Sequence, residues 1–334
     1  MSRWPARAAW GLLAAAACTA GLAAGPTHSS SPSPPPDPAT LNYHLQPRAI
    51  ATNTWVLEGA VEDFSRANGC NIINTGFIAT SAGTVVVNTG PSRVYGEQQR
   101  KAVEALTRQP VVRVLNLNLH PDYFFGNQAW ADRPTQALAG SIEGMRAEGA
   151  AYEANLFRLC GDWMKGTESA PAREVIAPGK LELGNHQLEL LRLSGHTSDD
   201  LVVLDRSTGV LFAGGLVFAD RAPTTPHAHL QSWRQSLLAL QQLVKDPAIK
   251  IIVPSHGPVH AVEQGRARGI EQTLDWLQWL ETTLQQSARQ GLDLGEVLRL
   301  PLPQRFAGWA AMQAEYLRSV TYLYPRYELA EMQR

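Results

Sequence analysis

Cysteine is scarce in this chain. Its 334 residues hold three, at positions 18, 70 and 160, with no C-x-x-C or C-x-x-x-C spacing, which excludes a cysteine zinc knuckle. An excess of one charge is missing too: Lys+Arg 29 against Asp+Glu 30 leaves a formal net charge of −1. That removes the electrostatic case for binding nucleic acid. No apolar run reaches the ~20 residues that a membrane-spanning helix needs. No internal period of ~20–50 residues marks a solenoid. What is present is 44% hydrophobic and 18% charged residues, a balance that buries a sizeable core and excludes disorder for the bulk of the chain. At about 150 residues per domain, one or two domains are expected.

The N-terminus reads as a secretory signal over residues 1–25. Arg3 and Arg7 give a positive start, residues 8–24 are apolar and alanine-rich, and small residues around Ala20 to Gly25 offer cleavage positions. A Pro/Ser-rich linker over 26–48 follows, then a domain over 49–265 and a helical extension over 266–334. The expected address is the periplasm or the exterior. Lipid anchoring at Cys18 is the lesser alternative, because Ala15 stands where the usual leucine would be. Removing residues 1–25 takes two arginines and no acid, leaving −3. Cys70 and Cys160 then remain. In an oxidising compartment they either pair or stay two separate buried thiols, and the second reading is slightly preferred because sequence does not give their separation.

From residue 50 onward, strand-like and helix-like segments alternate. A hairpin is read over 71–80 and 84–88 across Ser81-Ala82-Gly83, then a helix over 94–107, a strand over 110–117 and a helix over 141–163. Short strands are read at 173–176, 180–183, 186–193, 201–205, 210–213 and 250–253. Apolar residues at helical spacing mark helices over 230–244, 270–284 and 306–320. Two strand-rich blocks, each closed by helices, predict layered sheets with helices outside.

Three of the nine histidines stand where a strand gives way to a loop: His120, His196 and His256. Strand ends are where a rigid scaffold presents functional side chains. Any one of them alone reads as a turn-capping imidazole. Together with Asp122 they point to a metal site, since imidazole and carboxylate are the ordinary zinc donors. His227 and His229 lie in a Pro-rich loop and read more simply as exposed, with His227 as a possible pocket residue. His28, His44, His186 and His260 read as surface or turn residues. His120-Pro121-Asp122 also spells the tripeptide of J-domain co-chaperones, but there it joins two helices, whereas here it follows a strand.

The segments Asn88-Thr89-Gly90, 118–123 with Gly126-Asn127, Gly195-His196-Thr197, 211–215 and Pro254-Ser255-His256-Gly257 resemble, in order and spacing, the metallo-β-lactamase fold superfamily. In detail, with 159–168 and 221–227, the chain is similar to the quinoprotein relay system zinc metallohydrolases. The resemblance implies an α/β fold, an αββα sandwich, here with extra C-terminal helices, and two zinc sites at one edge. It implies His120 and His196 as first-site ligands and Asp122 and His256 as second-site ligands. At three further ligand positions the chain departs: Asn118 replaces a histidine, Tyr123 a histidine and Gly215 the bridging aspartate. Each half-site therefore keeps two of its ligands. A neutral amide, a phenol with a pKa near ~10 and no side chain at all are poor replacements, so a dinuclear centre is not expected.

Two functions follow. One is an exported metallohydrolase with at most one zinc ion, held by His120, Asp122, His196 and His256, with Asp122 as the catalytic base and an unidentified small-molecule substrate. The other is a pseudoenzyme that keeps the fold as a binding or assembly module. By family likeness alone, the partner in either case is a periplasmic quinoprotein, a dehydrogenase using pyrroloquinoline quinone, or a cytochrome. Nothing in the residues marks an antibiotic pocket.

Overall fold

The computed structural model describes residues 34–333. The signal-like segment and Cys18 therefore lie outside the described residues, as does His28. Among the described residues, no helix is long and apolar enough to cross a membrane.

Two sheets face each other. The first joins seven strands in chain order: β1 (Arg48–Ala51), β2 (Thr54–Leu57), β3 (Thr75–Thr80), β4 (Gly83–Val87), β5 (Val111–Leu115), β6 (Thr135–Ala137) and β7 (Glu174–Val175). The second holds β8 (Gly179–Leu183), β9 (His186–Leu193), β10 (Asp200–Asp205), β11 (Val210–Phe218), β12 (Ile251–His256) and β13 (His260–Ala261), ordered β13-β12-β11-β10-β9-β8. Strand alternation divides the side chains between layers. Ile78, Val85, Val87, Leu201, Val203 and Phe212 meet between the sheets. Their sequence neighbours Phe77 and Val86 turn outward onto α1 (Arg93–Thr107). Likewise Val202, Leu204, Leu211 and Ala213 turn outward onto α4 (Leu230–Leu243) and α5 (Arg268–Arg289). A period of two with both faces covered is what a central strand needs, and the result is the αββα sandwich.

Several boundaries move. β11 runs to Phe218 rather than residue 213, and β12 runs to His256, which puts the imidazole on the last strand residue. The final helix, α7 (Met312–Met332), starts six residues later than its periodicity implies. After the short α6 (Leu294–Leu298), Phe306 sits in a separate 3-10 turn, and Ala311, at φ 54°, breaks the path between that turn and α7. β1, β2, β6 and β13 escaped the sequence pattern because each is two to four residues long. Within the segment assigned to the linker, Tyr43 is buried. Its ring packs 4.2 Å from Trp163, and its hydroxyl donates to the Gly69 carbonyl at 2.8 Å.

Cys70 and Cys160 form a disulfide with Cα atoms 5.9 Å apart, which corrects the preference for separate thiols. The bond ties the loop before β3 to the end of α3 (Ala139–Cys160). His186 is also corrected: it is buried, and its Nδ1 lies 2.8 Å from Asp205 Oδ2.

Candidate functional site

Strand ends from both sheets open onto one cavity of about 620 Å³. After β5, the Asn118 side-chain oxygen accepts from the His120 backbone N–H at 2.9 Å, and Pro121 starts the short helix α2 (Pro121–Phe124), which presents Asp122. His196 follows β9 through Gly195, whose φ is +128° and whose Cα hydrogen faces the Trp233 backbone; a Cβ there would lie 2.2 Å from it. His256 ends β12. All four donors read from the sequence line this cavity, and so does His227.

They meet in pairs. His120 Nε2 and His227 Nδ1 are 2.9 Å apart. His256 Nε2 lies 3.1 Å from Asp122 Oδ2, while its Nδ1 lies 2.9 Å from Ser255 Oγ. The His256 ring stacks on Phe218 at 4.9 Å, and the Arg221 guanidinium sits 5.8 Å from the centroid of the same Phe218 ring. His196 stands apart, with its ring 4.7 Å from His120 and 5.0 Å from Trp233.

Burial depresses the pKa of every one of these imidazoles. His196 falls to about 3. His120 falls well below its usual value, with His196 and His227 adding to the effect. His256 is also lowered, its bond to Asp122 only partly opposing burial, and so is His227. Burial alone would raise Asp122, but the bond from His256 and the nearby imidazoles bring it below the usual carboxylate range. At neutral pH the site therefore holds neutral imidazoles and an ionised Asp122, to which His256 donates from Nε2. Asp200, beside His196 at 3.5 Å, is pushed by burial up to about 7.

The three altered positions have definite roles. Because the His120 N–H fixes the Asn118 oxygen, the Asn118 amide nitrogen must face His196 Nδ1, at 3.3 Å. A hydrogen-bond donor thus occupies the place where a lone pair would be needed. At Gly215, a Cβ would fall 1.9 Å from His196 Nδ1 and 2.7 Å from the Asn118 amide nitrogen. The imidazole fills the volume a side chain would take. Tyr123 is buried, and its hydroxyl has no hydrogen-bond partner among the described residues. Burial, reinforced by Asp122, raises its pKa well above 10.

Zinc does not fit this donor set. A catalytic zinc needs three protein ligands and a water. Among the described residues, no group of three His, Cys, Asp or Glu side chains is placed to hold a metal ion. Two of the pairs are closed on themselves by hydrogen bonds, and His196 is turned onto Asn118 and Gly215.

Sequence reasoning missed the far wall. Glu148, Tyr152 and Asn155 lie along one face of α3, and Glu315, Arg318 and Tyr322 come from α7. His227 is exposed, as read, and also lines the cavity and bonds His120, while His229 caps α4 by accepting from the Ser232 N–H at 3.3 Å. Arg221 is buried against Glu315, its Nη2 3.0 Å from Oε1, and Glu315 Oε1 also accepts from Thr224 Oγ1 at 2.7 Å and Arg318 Nη1 at 2.6 Å. The only advance signal for α3 was the stepping of polar residues at 148, 152 and 155 along one helical face.

Comparison with known proteins gives one consistent result. Residues 68–256 match the family model described as the metallo-beta-lactamase superfamily. No curated protein matches the chain. Among solved structures, a metallo-beta-lactamase from Pontibacter korlensis superposes with a TM-score of 0.56 at 24% identity, over 70% of this chain and 99% of that one. The IND-7 metallo-beta-lactamase gives 0.53 at 21% identity, over 70% and 98%. The mono-zinc form of FIM-1 from Pseudomonas aeruginosa gives 0.52 at 19%, over 70% and 95%. At these identities the structural likeness carries the fold alone.

Proposed function

Since the chain belongs to the metallo-β-lactamase superfamily with an altered donor set, we propose that it is a hydrolase-like relative that binds a small polar ligand in this cavity without a resident zinc centre. The family is typically zinc-dependent, so the proposal is a departure from it. One observation carries it: the histidines and Asp122 gather at one cavity, yet no three of them converge. The cavity itself lies within the ordinary size range for small-molecule sites.

The test is metal content of protein purified without chelator, with zinc titration of the stripped protein and an assay on ester, thioester and lactam substrates. Zinc well below one per chain and no turnover are expected. Zinc near one per chain, with turnover lost in His196→Ala, replaces this reading with a mononuclear hydrolase.

Export and a place beside quinoproteins belong to the same proposal. They rest on the signal-like N-terminus and on the likeness to the relay-system metallohydrolases. Cell fractionation tests the first. Co-purification with a quinoprotein dehydrogenase or cytochrome tests the second, and its failure under mild crosslinking would end it.

A further inference from the structure

The wall that faces the imidazoles combines α3, inside the family-matched segment, with α7, outside it, and its chemistry points to a ligand class. Glu315 and Arg318 on α7 join Arg221 and Asp63 in a chain of buried and half-buried ion pairs: Arg221 to Glu315 at 3.0 Å, Arg318 to Glu315 at 2.6 Å and Arg318 to Asp63 at 3.0 Å. The Arg221 guanidinium also donates to the carbonyls of Glu62 and Ala222. These two arginines are occupied and the carboxylates of Glu315 and Asp63 are matched in turn, so this ion-pair chain itself favours neither an anionic nor a cationic ligand.

Unused hydrogen-bonding capacity remains on the same wall. Glu315 is fully buried, and its second oxygen, Oε2, has no partner among the described residues. The Tyr152 hydroxyl, likewise shielded from solvent, has none either. A buried polar atom left unpaired is costly, and a native site that keeps several calls for a partner. Glu148 and Arg158, both at the cavity, make no ion pair among the described residues. Acceptors and donors are thus interspersed, with the rings of Phe64, Tyr152 and Tyr322 between them. A hydroxyl group both donates and accepts, which suits a mixed wall, and the C–H faces of a polyol suit aromatic rings.

We propose that the cavity between α3 and α7 takes a neutral, polyhydroxylated ligand, a sugar or cyclic polyol, with Glu315 and Tyr152 as its hydrogen-bonding anchors. This rests on the reading of the site as a zinc-free binding pocket, and α7 completes it. Tyr152→Phe removes a hydroxyl that has no partner in the free protein, so it leaves the fold intact and weakens only the complex.

The experiment is calorimetric titration and thermal shift on the full chain in excess EDTA. The probes are glucose, maltose and myo-inositol, with choline and succinate as charged comparators. The neutral probes are expected to bind and to raise the melting temperature. Tyr152→Phe is expected to weaken binding about tenfold, the worth of one hydrogen bond, while its own melting temperature stays level or rises. A response confined to choline or succinate, no response to any probe, or native affinity in Tyr152→Phe overturns the proposal. Polyol binding in EDTA together with zinc-dependent turnover in its absence would overturn only the functional reading beneath it.

Discussion

Acidification should destabilise this protein through the imidazoles at its cavity. His120, His196 and His256 are buried with pKa values below the ordinary 6.5 of an exposed imidazole. In the unfolded chain they take up protons as the pH falls through 6.5, while in the fold they do not. Their contribution is therefore whole above that value and is lost below it. Between pH 7 and 5.5 an imidazole that stays neutral in the fold, as His196 does with its pKa of about 3, costs about 1.2 kcal/mol, and His120 and His256 add in the same direction by up to that amount each. Asp200 acts the other way. Its carboxyl, pushed up to about 7 in the fold from 3.8, binds its proton early and returns about 1.5 kcal/mol over the same interval. The net is a loss of up to about 2 kcal/mol. Urea unfolding at the two pH values measures it, provided the slope with denaturant is unchanged. Asp200→Asn abolishes the opposing contribution, so its loss should exceed the native one by about 1.5 kcal/mol. A native midpoint that holds or rises at pH 5.5, or an Asp200→Asn chain with the native pH slope, would refute the protonation states assigned to the site.

Three further outcomes follow from the packing. Gly215→Ala places a methyl 1.9 Å from His196 Nδ1 and should cost about 1–3 kcal/mol, with a shifted His196 signal in imidazole ¹⁵N spectra; an unmoved signal at native stability contradicts the described seat. Replacing both Cys70 and Cys160 by serine releases a crosslink spanning 90 residues and should lower stability by about 2–4 kcal/mol, read from urea midpoints. Glu315→Ala strands the buried Arg221 guanidinium and should cost about 3–5 kcal/mol, whereas exposed pairs such as Arg48–Glu58 should lose about 1 kcal/mol or less.

The layered sheets were legible because their central strands are short apolar runs bounded by turns, and the family resemblance made them an αββα sandwich. Val85-Val86-Val87 and Leu201-Val202-Val203-Leu204 each send successive side chains to opposite layers. The strand-end histidines were legible for the same reason, since each follows an apolar run. What the sequence hid is contact across distance and the orientation of polar groups. Nothing near His227 announces His120, 107 residues away. Asn118 and Gly215 read as two separate losses. Only the packed side chains show that they form one seat for His196. His186 read as a turn residue because its partner Asp205 lies on the neighbouring strand. The cavity's outer wall was hidden in the C-terminal helices, whose leucines and tryptophans explain packing but not what their polar edge faces.

α7 also bears on how the protein can be shortened. Trimming the chain after residue 265, close to where the family match ends, would strip Trp276, Leu277, Leu280, Tyr316 and Val320 from the apolar cluster over the second sheet. It would also leave Arg221 without its carboxylate. Such a fragment would be produced as insoluble material, so gene fusions and protease-trimmed crystals of this molecule must retain the helix that a family alignment discards.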